Sequence, residues 1–192
     1  MKKSSWIVIL GILAVLVIWG ISAYNGLVSK DEAVTTAWSN VENNYQRRAD
    51  LIPNLVATVK GYAEHESSTL EAVVNARAAA TSVNGGNLST EEIAAYQKAQ
   101  SELSSSLGRL LMVVENYPDL KANENFLDLQ AQLEGTENRI AEARRVFNET
   151  AKDYNTSIRR FPNNLLAGFF GFEKKGYFEA EEAARTAPKV EF

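Results

Sequence analysis

Two kinds of apolar pattern divide the chain. From Trp6 to Tyr24, in "WIVILGILAVLVIWGISAY", no side chain is charged and nearly all are apolar. After Lys30, apolar residues instead recur every three or four positions among polar ones. The first pattern predicts a helix that is apolar on every side. Its nineteen positions match the ~20 residues that carry a helix across a bilayer. Trp6, Trp19 and Tyr24 fall near its ends, at the depth where amphipathic rings settle. A cleaved signal sequence is the competing reading. Against it, the run is long for a signal core, "ISA" is a poor cleavage site and no cysteine follows to be lipidated. The segment 6–24 therefore reads as a retained transmembrane helix. Lys2 and Lys3 precede it, and Asp31 and Glu32 partly offset Lys30 beyond it. That asymmetry predicts a short cytoplasmic N-terminus, residues 1–5, with the soluble part on the extracytoplasmic side.

The second pattern predicts helices joined by short turns. Val34, Trp38, Val41, Tyr45, Ile52, Leu55, Val59 and Tyr62 form one seam. "NGGN" (Asn84 to Asn87) signals a turn, and "STEE" offers Ser89 as an N-cap with Glu92 reaching back to it. Ile93, Tyr96, Gln100, Leu103, Leu107, Leu110 and Val114 make a second seam, with Gln100 its one polar member. "NYPDL" stops that helix, because Pro118 pushes Tyr117 out of the helical region. A third seam runs through Phe126, Leu129, Leu133, Thr136, Ile140, Ala143, Phe147, Tyr154 and Ile158. It ends at "FPNN", where Pro162 cannot continue the ladder.

Pro53, in "RRADLIPNL", is the hard position. Inside a helix it forfeits the bond to the Ala49 carbonyl and costs ~3 kcal/mol. In a first turn it costs little, and Asp50 is a fitting N-cap. Strict heptad spacing through the region also puts Arg48 on the apolar stripe, where a charge is expensive unless paired. A short connection at Arg47 to Ala49 would leave Arg48 solvated. Against a break, the three-four phase survives across Pro53, as a kinked continuous helix would have it. The balance narrowly favours a helix boundary, with Arg47, Arg48, Asp50, Pro53 and Asn54 as a candidate hinge and polar cluster.

With that boundary the chain is all-α: a transmembrane helix, then an antiparallel four-helix bundle within residues 25–160, with helices at about 30–48, 51–81, 90–116 and 123–160. Four alternating directions would return the aromatic-rich tail, 161–192, to the membrane end. Phe161, Phe169, Phe170, Phe172, Tyr177 and Phe178 crowd its first half. They either plug the open end of the bundle or form an exposed contact patch, for which Phe169, Phe170, Phe172, Tyr177 and Phe178 are the candidates.

Charge and composition remove most chemistry. Lys+Arg 20 against Asp+Glu 24 leaves a net charge of -4, which argues against binding nucleic acid. The absence of cysteine excludes disulfides, thiolate metal sites and a cysteine nucleophile. His65 is the one histidine, and no glutamate stands three residues before it, as a di-iron bundle would need. "AEHES" reads as a solvated face. There is no Ser-x-x-Lys, no Gly-x-Ser-x-Gly and no Gly-rich phosphate loop. No cofactor, metal or catalytic residue is expected, and the chain reads as a non-enzyme. "VVNAR" and "IAEAR" place Arg77 and Arg144 beside small residues, where their stems can cover the core edge and their heads pair with Glu71, Glu137 or Glu142.

Longer stretches carry a resemblance. "YNGLV", "AWSNVENNYQRRADLIPNLVATVKGYAEHE", "NAR", "ENYPDLKANENFLDLQAQLEGTENRIAEARRVFN" and "YNTSIRRFPNNLLAGFFGF" together resemble the LemA family from the anchor to about Phe178. The resemblance implies a bacterial single-pass membrane protein with a bundle of bromodomain-like, up-and-down topology and no established enzymatic activity. The expected function is a self-associating, membrane-anchored scaffold of the cell envelope, a homo-oligomer with coiled-coil spacing. The alternative is a monomeric adaptor for another membrane protein, such as a protease or signalling complex.

Overall fold

In the computed structural model, which describes residues 2–180 apart from Asn84, helix α1 runs unbroken from Lys2 to Lys60 with Pro53 inside it. Its 59 residues extend for about 88 Å at 1.5 Å per residue. This overturns the boundary expected near Asp50 and the separate helices 30–48 and 51–81. The reason is the phase of the seam. Val34, Trp38, Val41, Tyr45, Arg48, Ile52, Leu55 and Val59 are all buried, at steps of three or four, while Pro53 lies on the exposed side. Asp50 is a mid-helix residue and caps nothing. The chain turns later, at Gly61 to Ala63, where the amides of Tyr62 and Ala63 both donate to the Val59 carbonyl at 3.0 and 2.9 Å. Tyr62, expected in the seam, is exposed beyond that turn.

A 3-10 turn (Glu64–Glu66) leads into α2, Ser67–Ser82, which runs back along α1. The turn that follows suits glycine alone at two points. A Cβ on Gly85 would sit 2.3 Å from the Trp38 ring, and Gly86 adopts φ 48°. The capping box then opens α3, Thr90–Val114: the Glu92 amide donates to Ser89 Oγ, and the Ser89 amide donates to Glu92 Oε2. Pro118 begins a short helix, α4 (Pro118–Lys121), which buries Leu120 where the sequence suggested only a turn. Asn123 caps α5, Glu124–Arg159, which descends beside α1 from Tyr62 to the level of Leu27. No strand occurs among the described residues.

The apolar core forms two clusters stacked along α1. The one nearer the apolar N-terminal stretch gathers Leu27, Val34, Trp38, Val41 and Tyr45 with Tyr96, Phe147, Tyr154 and Phe178. The distal one gathers Ile52, Leu55 and Val59 with Leu70, Leu103, Leu110, Phe126 and Leu133. Arg48 and Gln100 lie between them along the chain, both buried.

After α5 a short apolar helix, α6 (Asn163–Phe170), ends at Gly171 in the left-handed conformation that favours glycine at a helix C-terminus. The chain then turns and runs extended from Phe172 to Ala180. Phe172 touches Tyr24, Lys175 pairs with Asp31 and Phe178 stacks on Trp38. Each step of three residues in the segment thus meets a step of seven in α1. Three extended residues and seven helical ones both cover about 10 Å, so the two elements stay in register.

Candidate functional site: an arginine layer and an apolar end

The heptad position of Arg48 aims its side chain into the centre of the body, where it is 1% exposed. One terminal nitrogen donates to Ser104 Oγ and to Glu137 Oε1, both at 2.8 Å. The other donates to Gln100 Oε1 at 2.6 Å and to the Gln100 carbonyl at 3.2 Å. Gln100 in turn donates to the Ala80 carbonyl at 3.3 Å. One level therefore ties α1, α2, α3 and α5 together. Tyr45 lies 5.0 Å from the guanidinium, and the planar fork of arginine suits this set of acceptors. Glu137 is 48% exposed, so the compensating charge sits at the mouth of the layer.

Pro53 is accommodated by a second arginine. It has no N–H to give the Ala49 carbonyl, and Arg77 Nε on α2 donates to that oxygen at 2.7 Å. The bond that proline removes from the helix is thus replaced from a neighbouring helix.

The candidate cluster does not assemble as a unit. Arg47, Asp50 and Asn54 are exposed, with Asp50 accepting from Gln46 at 2.7 Å and the Asn54 carbonyl from Thr58 at 2.8 Å. The expected arginine–glutamate pairs are also redistributed. Arg77 binds a carbonyl, Glu137 pairs with Arg48, Glu142 pairs with Arg145, and Arg144 donates to the Glu179 carbonyl at 3.0 Å. The Arg145 bond holds the Glu142 carboxyl below the usual range. His65 is exposed in the 3-10 turn, and no group of three metal-ligating side chains occurs among the described residues.

The aromatic patch divides. Phe178 is buried, stacked on Trp38 at 5.9 Å and edge-on to Phe147 at 5.5 Å. Phe172 and Tyr177 are half-buried against the same cluster, whereas Phe169 and Phe170 on α6 are exposed. Three amide side chains that sequence reasoning missed hold the extended segment. Asn148 accepts from the Phe178 amide and donates to its carbonyl, both at 2.9 Å. Asn155 does the same for Lys175, and Gln97 for Glu179. A primary amide offers one acceptor and two donors, so each imitates a neighbouring strand. The seven-residue spacing of Asn148 and Asn155, flanking the third seam, was the available signal. Beneath them burial pushes the Tyr154 hydroxyl up to about 12, helped by the charges of Asp31 and Glu173.

These features define an all-helical, membrane-associated protein in which one N-terminal helix is long and apolar enough to cross a membrane. The chain belongs to the LemA family, whose model matches residues 37–192. It is 28% identical over 182 residues to magnetosome protein MamQ 2 of Paramagnetospirillum magneticum, covering 85% of this chain and 67% of that protein. The same figures hold for magnetosome protein MamQ of Magnetospirillum gryphiswaldense. Protein LemA of Metamycoplasma hominis is 25% identical over 162 residues, covering 84% of this chain and 71% of the relative.

Proposed function

We propose that the chain is a non-enzymatic, single-pass scaffold of the bacterial cell envelope that self-associates, its body on the extracytoplasmic side. The observation that carries this reading is the unbroken α1. A helix that continues from an apolar stretch into the body's own seam couples the body to the bilayer without a linker. Kinship with proteins named for the magnetosome agrees with a part in an assembled structure. Light scattering of the full chain in detergent, across a range of concentrations, tests it. The expected result is a mass that rises to a defined oligomer. A strict monomer at every concentration overturns self-association. Sidedness is read separately, by labelling Asn138→Cys in intact cells with an impermeant maleimide, which is expected to react.

A second reading, a monomeric adaptor for another membrane protein, is favoured by an open groove between α3 and α5. It has a volume of about 310 Å³ and is lined by Leu107, Leu111, Leu133 and Glu134 among others. A monomer that loses a crosslinked partner on Leu111→Ser, with the fold intact, would select the adaptor.

A further inference from the structure

We infer that α6 is a membrane-contacting helix, its outer face seated in the headgroup region of the bilayer that α1 spans. Three observations carry this. First, α6 turns apolar residues both ways. Ala167 is buried against the body, yet Leu165 is 64% and Phe169 82% exposed on the outside, and Phe161 just before it is 81% exposed. No charged residue occurs from Phe161 to Phe172. Its two polar side chains, Asn163 and Asn164, stand together in the first turn, and the rest of that face is apolar or glycine, unlike the polar face of a solvated helix.

Second, its depth is set by contact. If Trp6 to Tyr24 spans the hydrocarbon, Tyr24 stands at the headgroup level, where aromatic rings concentrate. The Phe170 ring lies 4.8 Å from the Tyr24 ring, so α6 is held at that same level. It is also the turning point of the C-terminal chain. α5 descends to it, and the segment after Phe172 climbs away past Asp31 and Trp38. Third, exposed Arg159 and Arg160 precede the apolar stretch, and exposed Glu173 and Lys174 follow it, which leaves cations in excess around it. Cations flanking an apolar helix suit phosphate headgroups, and anionic lipids strengthen such contacts. The lipid surface is therefore the occupant that continuity with α1, depth and charge select together.

The inference rests on α1 spanning the bilayer, and one experiment separates the two. The chain has no cysteine, so single substitutions carry an environment-sensitive fluorophore at one place. Asn164→Cys reports the outer face of α6, Ile12→Cys the apolar half of α1, and Asn138→Cys the exposed middle of α5. The full chain is reconstituted in phosphatidylcholine–phosphatidylglycerol vesicles containing spin-labelled lipids. The expected result at position 164 is a blue-shifted emission quenched best by spin labels near the headgroup. Position 12 should be quenched best by deep labels, and position 138 by neither. Adding Leu165→Ser and Phe169→Ser, both at exposed positions, should abolish quenching at 164 with circular dichroism unchanged. If 12 is quenched while 164 behaves like 138, the span stands and the inference falls. A blue shift at 164 without lipid quenching also overturns it, assigning the face to a second copy of the chain. If 12 is unquenched, both fail.

Discussion

Arg48 and Glu137 share an ion pair but are unequal partners, because only the arginine is buried. Removing the carboxylate leaves a charge inside the body, whereas removing the guanidinium leaves Glu137 free to hydrate. Glu137→Ala should therefore cost about 1–2 kcal/mol, below the scale for a fully buried pair, because Glu137 is itself half exposed and Arg48 keeps Ser104 and Gln100 as acceptors. Arg48→Met should cost about 1–3 kcal/mol, chiefly because buried Gln100 Oε1 loses its donor. Combining Arg48→Met with Gln100→Leu should return stability to within about 1 kcal/mol of the parent. Urea unfolding of the full chain in detergent, followed by circular dichroism, reads all three. A second residue-scale prediction concerns Glu92, whose carboxyl is held below the usual range by the Ser89 amide, then by the Ser89 hydroxyl. A depressed folded value means that this contribution is complete above the unfolded-chain value and lost as pH falls through the folded one. NMR titration should find Glu92 titrating low, and Ser89→Ala should raise its midpoint. The seam placed Arg48 correctly in phase, and that phase was the legible clue. Its partners stand 52 and 89 residues away, which no local pattern reveals.

The elements show why a proline could be misread. A cost of ~3 kcal/mol made continuity through Pro53 look unfavourable, but that figure assumes an orphaned carbonyl. Arg77 removes the assumption from another helix, so the two residues should be energetically coupled. Arg77→Met should cost about 1–2 kcal/mol in the parent chain. The loss should be much smaller with Pro53→Ala, where residue 53 again supplies an N–H to Ala49. Equal losses in the two backgrounds would show that Arg77 does not serve the proline. The tail offers a parallel contrast between neighbouring elements. Phe178→Ala should cost about 3–5 kcal/mol by opening the space between Trp38 and Phe147. Phe169→Ala, on the exposed face of α6, should leave the unfolding midpoint almost unchanged. Helix α3, its capping box and the third seam were legible because each is local and periodic. The division of the tail was not, since Phe169 and Phe178 differ only in what the fold brings to them.

At the scale of the whole molecule, the consequence of α1 is that the body and the apolar N-terminal stretch that can cross a membrane share one axis. Leu27 is the first buried residue of the body, and Tyr24, one turn earlier, still touches α6. The junction therefore lies within a few residues, and a length change there tests the arrangement without entering the seam. Seven helix-forming residues inserted between Asn25 and Gly26 would raise the body by about 10 Å and rotate it by only ~20°. The seam from Leu27 onward would keep its sequence, so the loss of stability should be small, with the two Tyr24 ring contacts contributing about 0.5–1.5 kcal/mol each. The fluorophore at position 164 should lose its lipid quenching, while that at position 12 keeps it. Persistent quenching at 164 would show that α6 reaches the lipid whatever its register along α1, against the depth set by the Tyr24 contact. The same insertion informs self-association. An oligomer held by faces of the body should survive the lift, whereas one that depends on α6 at the bilayer surface should dissociate.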